Sequence, residues 1–126
     1  MVVVAAKAAA VVPSLAVALG ERAVQADQRL DTFVFVSGTS VGTWRYDVAK
    51  GDYVVSLASG DPSWSQGPHR VVVEGQVVIN NESSGKNSYV TVENVPVTIT
   101  DGTLTVQVGG SSGTSLLNYL HLTPIE

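Results

Sequence analysis

Cysteine is absent from the 126 residues. That excludes disulfide staples and thiolate metal sites and leaves the compartment open. Charge is sparse at 14% of the chain, and cations are scarcer than anions, with seven Lys and Arg against eleven Asp and Glu. No two basic residues are adjacent, and the net charge is -4. A nucleic-acid surface needs clustered cations to replace phosphate counterions, so that class of partner is not expected. A zinc centre wants three or four ligands at sensible spacing, and none is evident around the two histidines, His69 and His121. Long apolar runs are also missing: Lys7, Pro13 and Gly20 break the N-terminal stretch before it reaches the length of a membrane span. Beyond residue 25 no helical period persists.

What the chain does have is 44% hydrophobic residues, mostly Val, with frequent Thr. That composition argues against disorder, and the length suits one core-forming domain. From Leu30 onward the pattern is one short strand after another. "TFVFVS" (32–37) is β-rich, and "TWRYDV" (43–48) places Trp44, Tyr46 and Val48 on one face. "DYVVSLAS" (52–59) puts Tyr53, Val55 and Leu57 on one side and ends at Gly60-Asp61-Pro62, where proline withholds its N–H from the ladder. "HRVVVEG" and "QVVIN" suggest a hairpin about Gly75, and "NNESSGKNS" reads as a polar loop. Pro96 marks a sheet edge or a strand start. Asp101-Gly102 between "VTIT" and "TLTVQV" is the strongest hairpin signal in the chain. In "SLLNYLHL", Asn118 shares the inward parity of Leu116, Leu120 and Leu122, while Tyr119 and His121 face outward. Turn signals every eight to twelve residues or so predict an all-β, antiparallel two-sheet sandwich.

Residues 1–26 are set apart as an apolar N-terminal arm, or extra strands with a short helix, preceding a sandwich domain over residues 27–126. "AVQA" before Asp27 only loosely fits a signal-peptidase site, so the arm is read as part of the folded chain, with a leader peptide as the alternative.

The motifs "KGDYVVSLASGDPSW", "HRVVVEG", "VTITDGTLTVQVGG" and "LLNYLHL" together resemble a known group. It comprises the malectin-like, galactose-binding-like jelly-roll domains attached to bacterial secreted polysaccharide-degrading enzymes, of the rhamnogalacturonan acetylesterase N-terminal type. Gly51, Tyr53, Val55, Gly60, Asp61, His69, Glu74, Gly75, Asp101, Gly102, Leu104 and Asn118 stand at the matching positions, and the likeness covers roughly residues 27–123. It implies a jelly-roll fold, an extracellular location and a glycan partner. The first 25 residues do not match.

Chemistry-bearing residues are few. "GGSSG" around Ser111 fits the G-x-S-x-G expression, but a strand pattern follows where a nucleophile elbow needs a helix. No acid/base pair or cofactor loop is evident, so an enzyme is not expected. Trp64, with Asp61, Gln66 and His69 nearby in sequence, is the candidate glycan site, because rings stack on apolar sugar faces while amides and carboxylates take the hydroxyls. An indole folded back over the sandwich is the competing reading of Trp64. No cofactor is expected apart from calcium, for which Asp27 and Asp31, with Asp61 and Asp101, offer oxygens. The expected function is a non-catalytic carbohydrate-binding-like module. The alternative is a structural assembly protein, a virion decoration or extracellular filament subunit, forming homo-oligomers through residues 1–25.

Overall fold

A computed structural model of the chain describes residues 2–5, 11–12, 18–21 and 32–125. Among these residues there is no helix, and so none long and apolar enough to cross a membrane. The strands form two sheets, as the alternation of apolar and polar residues predicts. One sheet has the order β1 (Val2–Ala5), β12 (Tyr119–Pro124), β6 (Gly51–Asp61), β9 (Ser88–Ile99). The other runs β2 (Val11–Val12), β5 (Val41–Asp47), β10 (Thr103–Gly109), β7 (Gln66–Val73), β11 (Thr114–Leu117), β4 (Thr32–Ser37), β3 (Ala18–Glu21), with β8 (Gln76–Ser84) paired to β7. Pairing is antiparallel except between β1 and β12.

The core lies between the sheets. Trp44 and Tyr46 from the larger sheet, with Val48 just beyond β5, meet Tyr53, Val55 and Leu57 from the smaller one. Each side chain of this size removed from water contributes roughly 1.5–3 kcal/mol. Burial pushes the Tyr46 hydroxyl up to about 12, and the Tyr53 hydroxyl donates to the Ala49 carbonyl at 2.6 Å. Pro96 lies within β9, which is an edge strand, where a missing N–H costs no ladder bond.

Three local expectations change. Asp101-Gly102 is not a hairpin, because β9 belongs to the four-stranded sheet and β10 to the other. The turn is real: Asp101 Oδ1 accepts the Thr103 N–H at 3.0 Å, and Gly102 has φ 75°. It carries the chain across the sandwich, since Ile99 and Leu104 on either side are both buried in the shared core. The fainter signal at Gly75 is the true hairpin. Val73 pairs with Gln76, and Glu74 and Gly75 take φ 49° and 76°, the left-handed pair that a tight hairpin turn requires. Glu74 also bridges to β10 by accepting the Thr105 N–H. Burial, with the nearby Asp101 charge adding to it, raises the Glu74 pKa despite that bond.

"SLLNYLHL" is likewise two strands in two sheets. β11 pairs with β4, β12 pairs with β6, and Asn118 is the crossing residue between them. The Asn118 side chain meets main chain inside the protein, as its parity implied, but that main chain is strand β6. Oδ1 accepts the Gly60 N–H at 2.8 Å and Nδ2 donates to the Gly60 carbonyl at 3.0 Å. A primary amide thus stands in for a neighbouring strand where the ladder changes sheets.

Gly60 serves the close approach of two strands. The strand continues through Asp61, and Gly60 has no left-handed torsion. A Cβ there would lie 2.4 Å from the Ser88 carbonyl oxygen and 2.6 Å from the Tyr89 ring, so glycine permits β9 to approach. The polar stretch expected as a loop is mostly strand, since β8 reaches Ser84 and β9 starts at Ser88.

The described N-terminal segments are strands, and each lies along an edge of its own chain: β1 on β12, β2 on β5 and β3 on β4. The remaining parts of the expected arm, including most positions allowed a short helix, lie outside the described residues.

Candidate functional site

The loop at residues 62–65 leaves β6 at Asp61 and enters β7 at Gln66. Proline at 62 ends the ladder, and the Asp61 side chain then folds the chain over. Asp61 is fully buried. Its Oδ1 accepts the Ser63 N–H at 2.8 Å, an Asx turn, and its Oδ2 accepts a bond from Gln66 Nε2 at 3.0 Å. The main-chain carbonyl of Asp61 receives the Asn87 N–H at 2.9 Å, which fastens the neighbouring loop of residues 85–87 to the same corner. That second loop is itself closed by the Ser88 N–H on the Gly85 carbonyl at 3.0 Å.

Trp64 sits at the crest and is 62% exposed. The indole is therefore not folded back as a lid over the core. Such a ring in water is unusual for a residue that buries 150–250 Å² when enclosed. Gln66 is half-buried beside it, and Lys86 and Asn87 on the adjoining loop are exposed. Sequence reading did not single out this second loop as part of the site. Its only signal was polar composition, whereas its position depends on Asp61 pairing with Ser88 and Gln66 with Ser84.

The four candidate site residues divide sharply. Trp64 and Gln66 present themselves to solvent; Asp61 and His69 do not. His69 has no exposed surface. Its Nδ1 accepts the Leu116 N–H at 3.0 Å, so the proton of the neutral ring lies on Nε2, which donates to Ser84 Oγ at 2.8 Å. Burial lowers its pKa to about 4. The ring thus replaces missing ladder bonds where β7 passes from β10 to β11, and Ser115 completes the seam by accepting the Arg70 N–H at 3.0 Å. His69 is a strand-joining residue enclosed beneath the loop. Sequence alone does not show that the ring is bonded between Ser84 of β8 and Leu116 of β11.

Ser111 is nearly buried and turns inward on its own loop, accepting the Gly113 N–H at 3.2 Å and standing 3.4 Å from Ser115 Oγ. Strand β11 follows it, so the nucleophile-elbow geometry is not formed. Among the described residues no group of three or more His, Asp or Glu could hold a metal ion. The calcium candidates Asp27 and Asp31 lie outside the described residues. Asp61 and Asp101 stand at opposite ends of β6, as the Asp61–Ser88 and Gly51–Ile99 pairings require, and cannot share a cation.

No protein-family description matches the chain, and no curated protein matches it in sequence. Solved structures do match in fold. A family 35 carbohydrate binding module from Clostridium thermocellum superposes with a TM-score of 0.52 at 13% identity, covering 87% of this chain and 88% of the module. A GH26-CBM35 β-(1,4)-mannanase from Podospora anserina gives 0.58 at 16% identity, over 92% of this chain and 28% of the enzyme. A β-glucuronidase from Bacteroides uniformis gives 0.62 at 18% identity, over 86% of this chain and 13% of that protein. One of the matching glucuronidase structures is described as a calcium-binding mutant. At these identities the likeness establishes the fold: a jelly-roll β-sandwich of the kind found in carbohydrate-binding modules.

Proposed function

We propose that this chain is a non-catalytic carbohydrate-binding module that contacts glycan through the Trp64 corner. One observation carries the proposal: an indole 62% exposed on a four-residue loop that a buried carboxylate holds closed. A flat ring in water gains by stacking on the apolar face of a sugar, and a loop fixed beforehand loses little entropy when it binds. The exposed Lys86 and Asn87 of the adjoining loop supply ammonium and amide donors for hydroxyls, while Gln66 braces the loop from its far end. Asp61 and His69 support this surface from below. One aromatic platform corresponds to millimolar to micromolar dissociation constants.

The fold shared with an entire family 35 module supports the class. The sequence resemblance to rhamnogalacturonan acetylesterase modules makes pectic backbones the first polysaccharides to test, and an extracellular location follows from the same resemblance. The assembly-subunit alternative gains no support, because the described N-terminal strands pair with edges of their own chain. Asp27 and Asp31 stay candidates for calcium, and no step of binding is routed through it.

Retention of the chain on immobilised rhamnogalacturonan, β-mannan and β-1,4-galactan tests the proposal. Trp64→Ala should abolish retention on whichever polymer holds the parent chain, with the unfolding midpoint unchanged. Absence of parent-chain retention on these polymers and on a broad glycan array defeats it.

A further inference from the structure

We propose that Asp61 is a positioning residue: its buried carboxylate fixes the loop that aims Trp64, a role in recognition that rests on Trp64 being the glycan platform. The indole points into solvent, so its direction is inherited from the main chain beneath it. That main chain is closed at both ends by one side chain. Oδ1 holds the Ser63 N–H, immediately before Trp64, and Oδ2 holds the Gln66 amide, two residues after it. The Asp61 carbonyl, through Asn87, sets the height of the adjoining loop against the same corner. A carboxylate with no exposed surface is costly unless its oxygens are satisfied, so the partners cannot swing away without a penalty. One residue therefore couples the aromatic platform to the polar loop beside it.

The chemistry permits a polarity exchange. In Gln66→Glu two carboxylates face each other where a 3.0 Å bond stood, and the loop loses its far anchor. In Asp61→Asn the Gln66 amide can rotate and accept from the new Nδ2, so the clamp survives. In the double variant Asp61→Asn/Gln66→Glu, the amide now at position 61 donates to the carboxylate now at position 66, and the clamp is restored with reversed polarity. A direct sugar-contacting role for Asp61 or Gln66 makes the opposite forecast, because the donors and acceptors offered to a hydroxyl stay exchanged in the double variant.

The experiment uses the full chain labelled with 5-fluorotryptophan, the Trp64 resonance being assigned by Trp64→Phe. Fluorine relaxation and Ser63 amide exchange are read without any glycan. Gln66→Glu should sharpen the Trp64 signal and speed Ser63 exchange roughly tenfold or more, and the double variant should return both to the parent values. Gln66→Ala serves if Gln66→Glu fails to fold, and should show the same change to a smaller degree. Retention on the polymer that binds the parent chain should fall about tenfold in Gln66→Glu and recover in the double variant. Unchanged Trp64 relaxation in both Gln66 variants overturns the proposal. So does a double variant that recovers loop order but not retention. If no polymer retains the parent chain, the glycan reading fails, while the fluorine and exchange measurements still decide whether Asp61 orders the loop.

Discussion

Acidification should weaken the fold through His69, and the amount follows from its surroundings. The ring is fully buried, with the Leu116 N–H directed at Nδ1 and Ser84 Oγ at Nε2. A second proton would sit on Nδ1 and expel the Leu116 bond, and the resulting charge would have no water around it. The folded pKa is accordingly lowered from 6.5 to about 4 by burial. Between those values the unfolded chain takes up a proton that the folded chain refuses. This contribution is fully present above pH 6.5 and is lost as the pH falls toward 4. A separation of about 2.5 pH units, at about 1.4 kcal/mol per unit, gives a loss of roughly 3–4 kcal/mol, a sizeable part of a small domain's stability. Urea unfolding at pH 7, 6, 5 and 4.5 measures it, with His69→Asn as the non-titrating control. Asparagine can set Oδ1 against the Leu116 N–H, although it abandons Ser84 and starts about 1–3 kcal/mol less stable at neutral pH. The carboxylates titrate in both chains and cancel in the difference. The parent should converge on the variant by about 1.4 kcal/mol per pH unit below about pH 6. Parallel curves, or an NMR titration placing the folded His69 midpoint between 6 and 7, would refute the reasoning.

Three further substitutions probe the packing and hydrogen bonds around Gly60. Gly60→Ala pushes a methyl against the Ser88 carbonyl and the Tyr89 ring, so β6 and β9 must part; urea unfolding should show a loss of about 3 kcal/mol. Asn118→Ala leaves the Gly60 N–H and carbonyl facing a void, at a cost of about 3 kcal/mol, and should deprotect the Gly60 amide in hydrogen exchange. Asn118→Asp should rescue little of that loss, because a carboxylate cannot donate to the Gly60 carbonyl.

Alternation alone determined that this chain is a stack of pleated strands. It also placed Trp44, Tyr46, Tyr53, Val55 and Leu57 inside, because side-chain parity is a property of the strand itself. Which strands are neighbours was decided only in three dimensions. Asp101-Gly102 makes the same tight turn whether the strands beside it pair or part. The parting depends on Ile99 and Leu104 meeting across the core rather than along one sheet. The candidate site divides the same way. A tryptophan after Gly-Asp-Pro could be read as a loop residue, but its exposure could not. Nor could the burial of His69 between Ser84 and Leu116, or the reach of one carboxylate to both ends of the Trp64 loop. These depend on distances between segments that the order of residues does not contain.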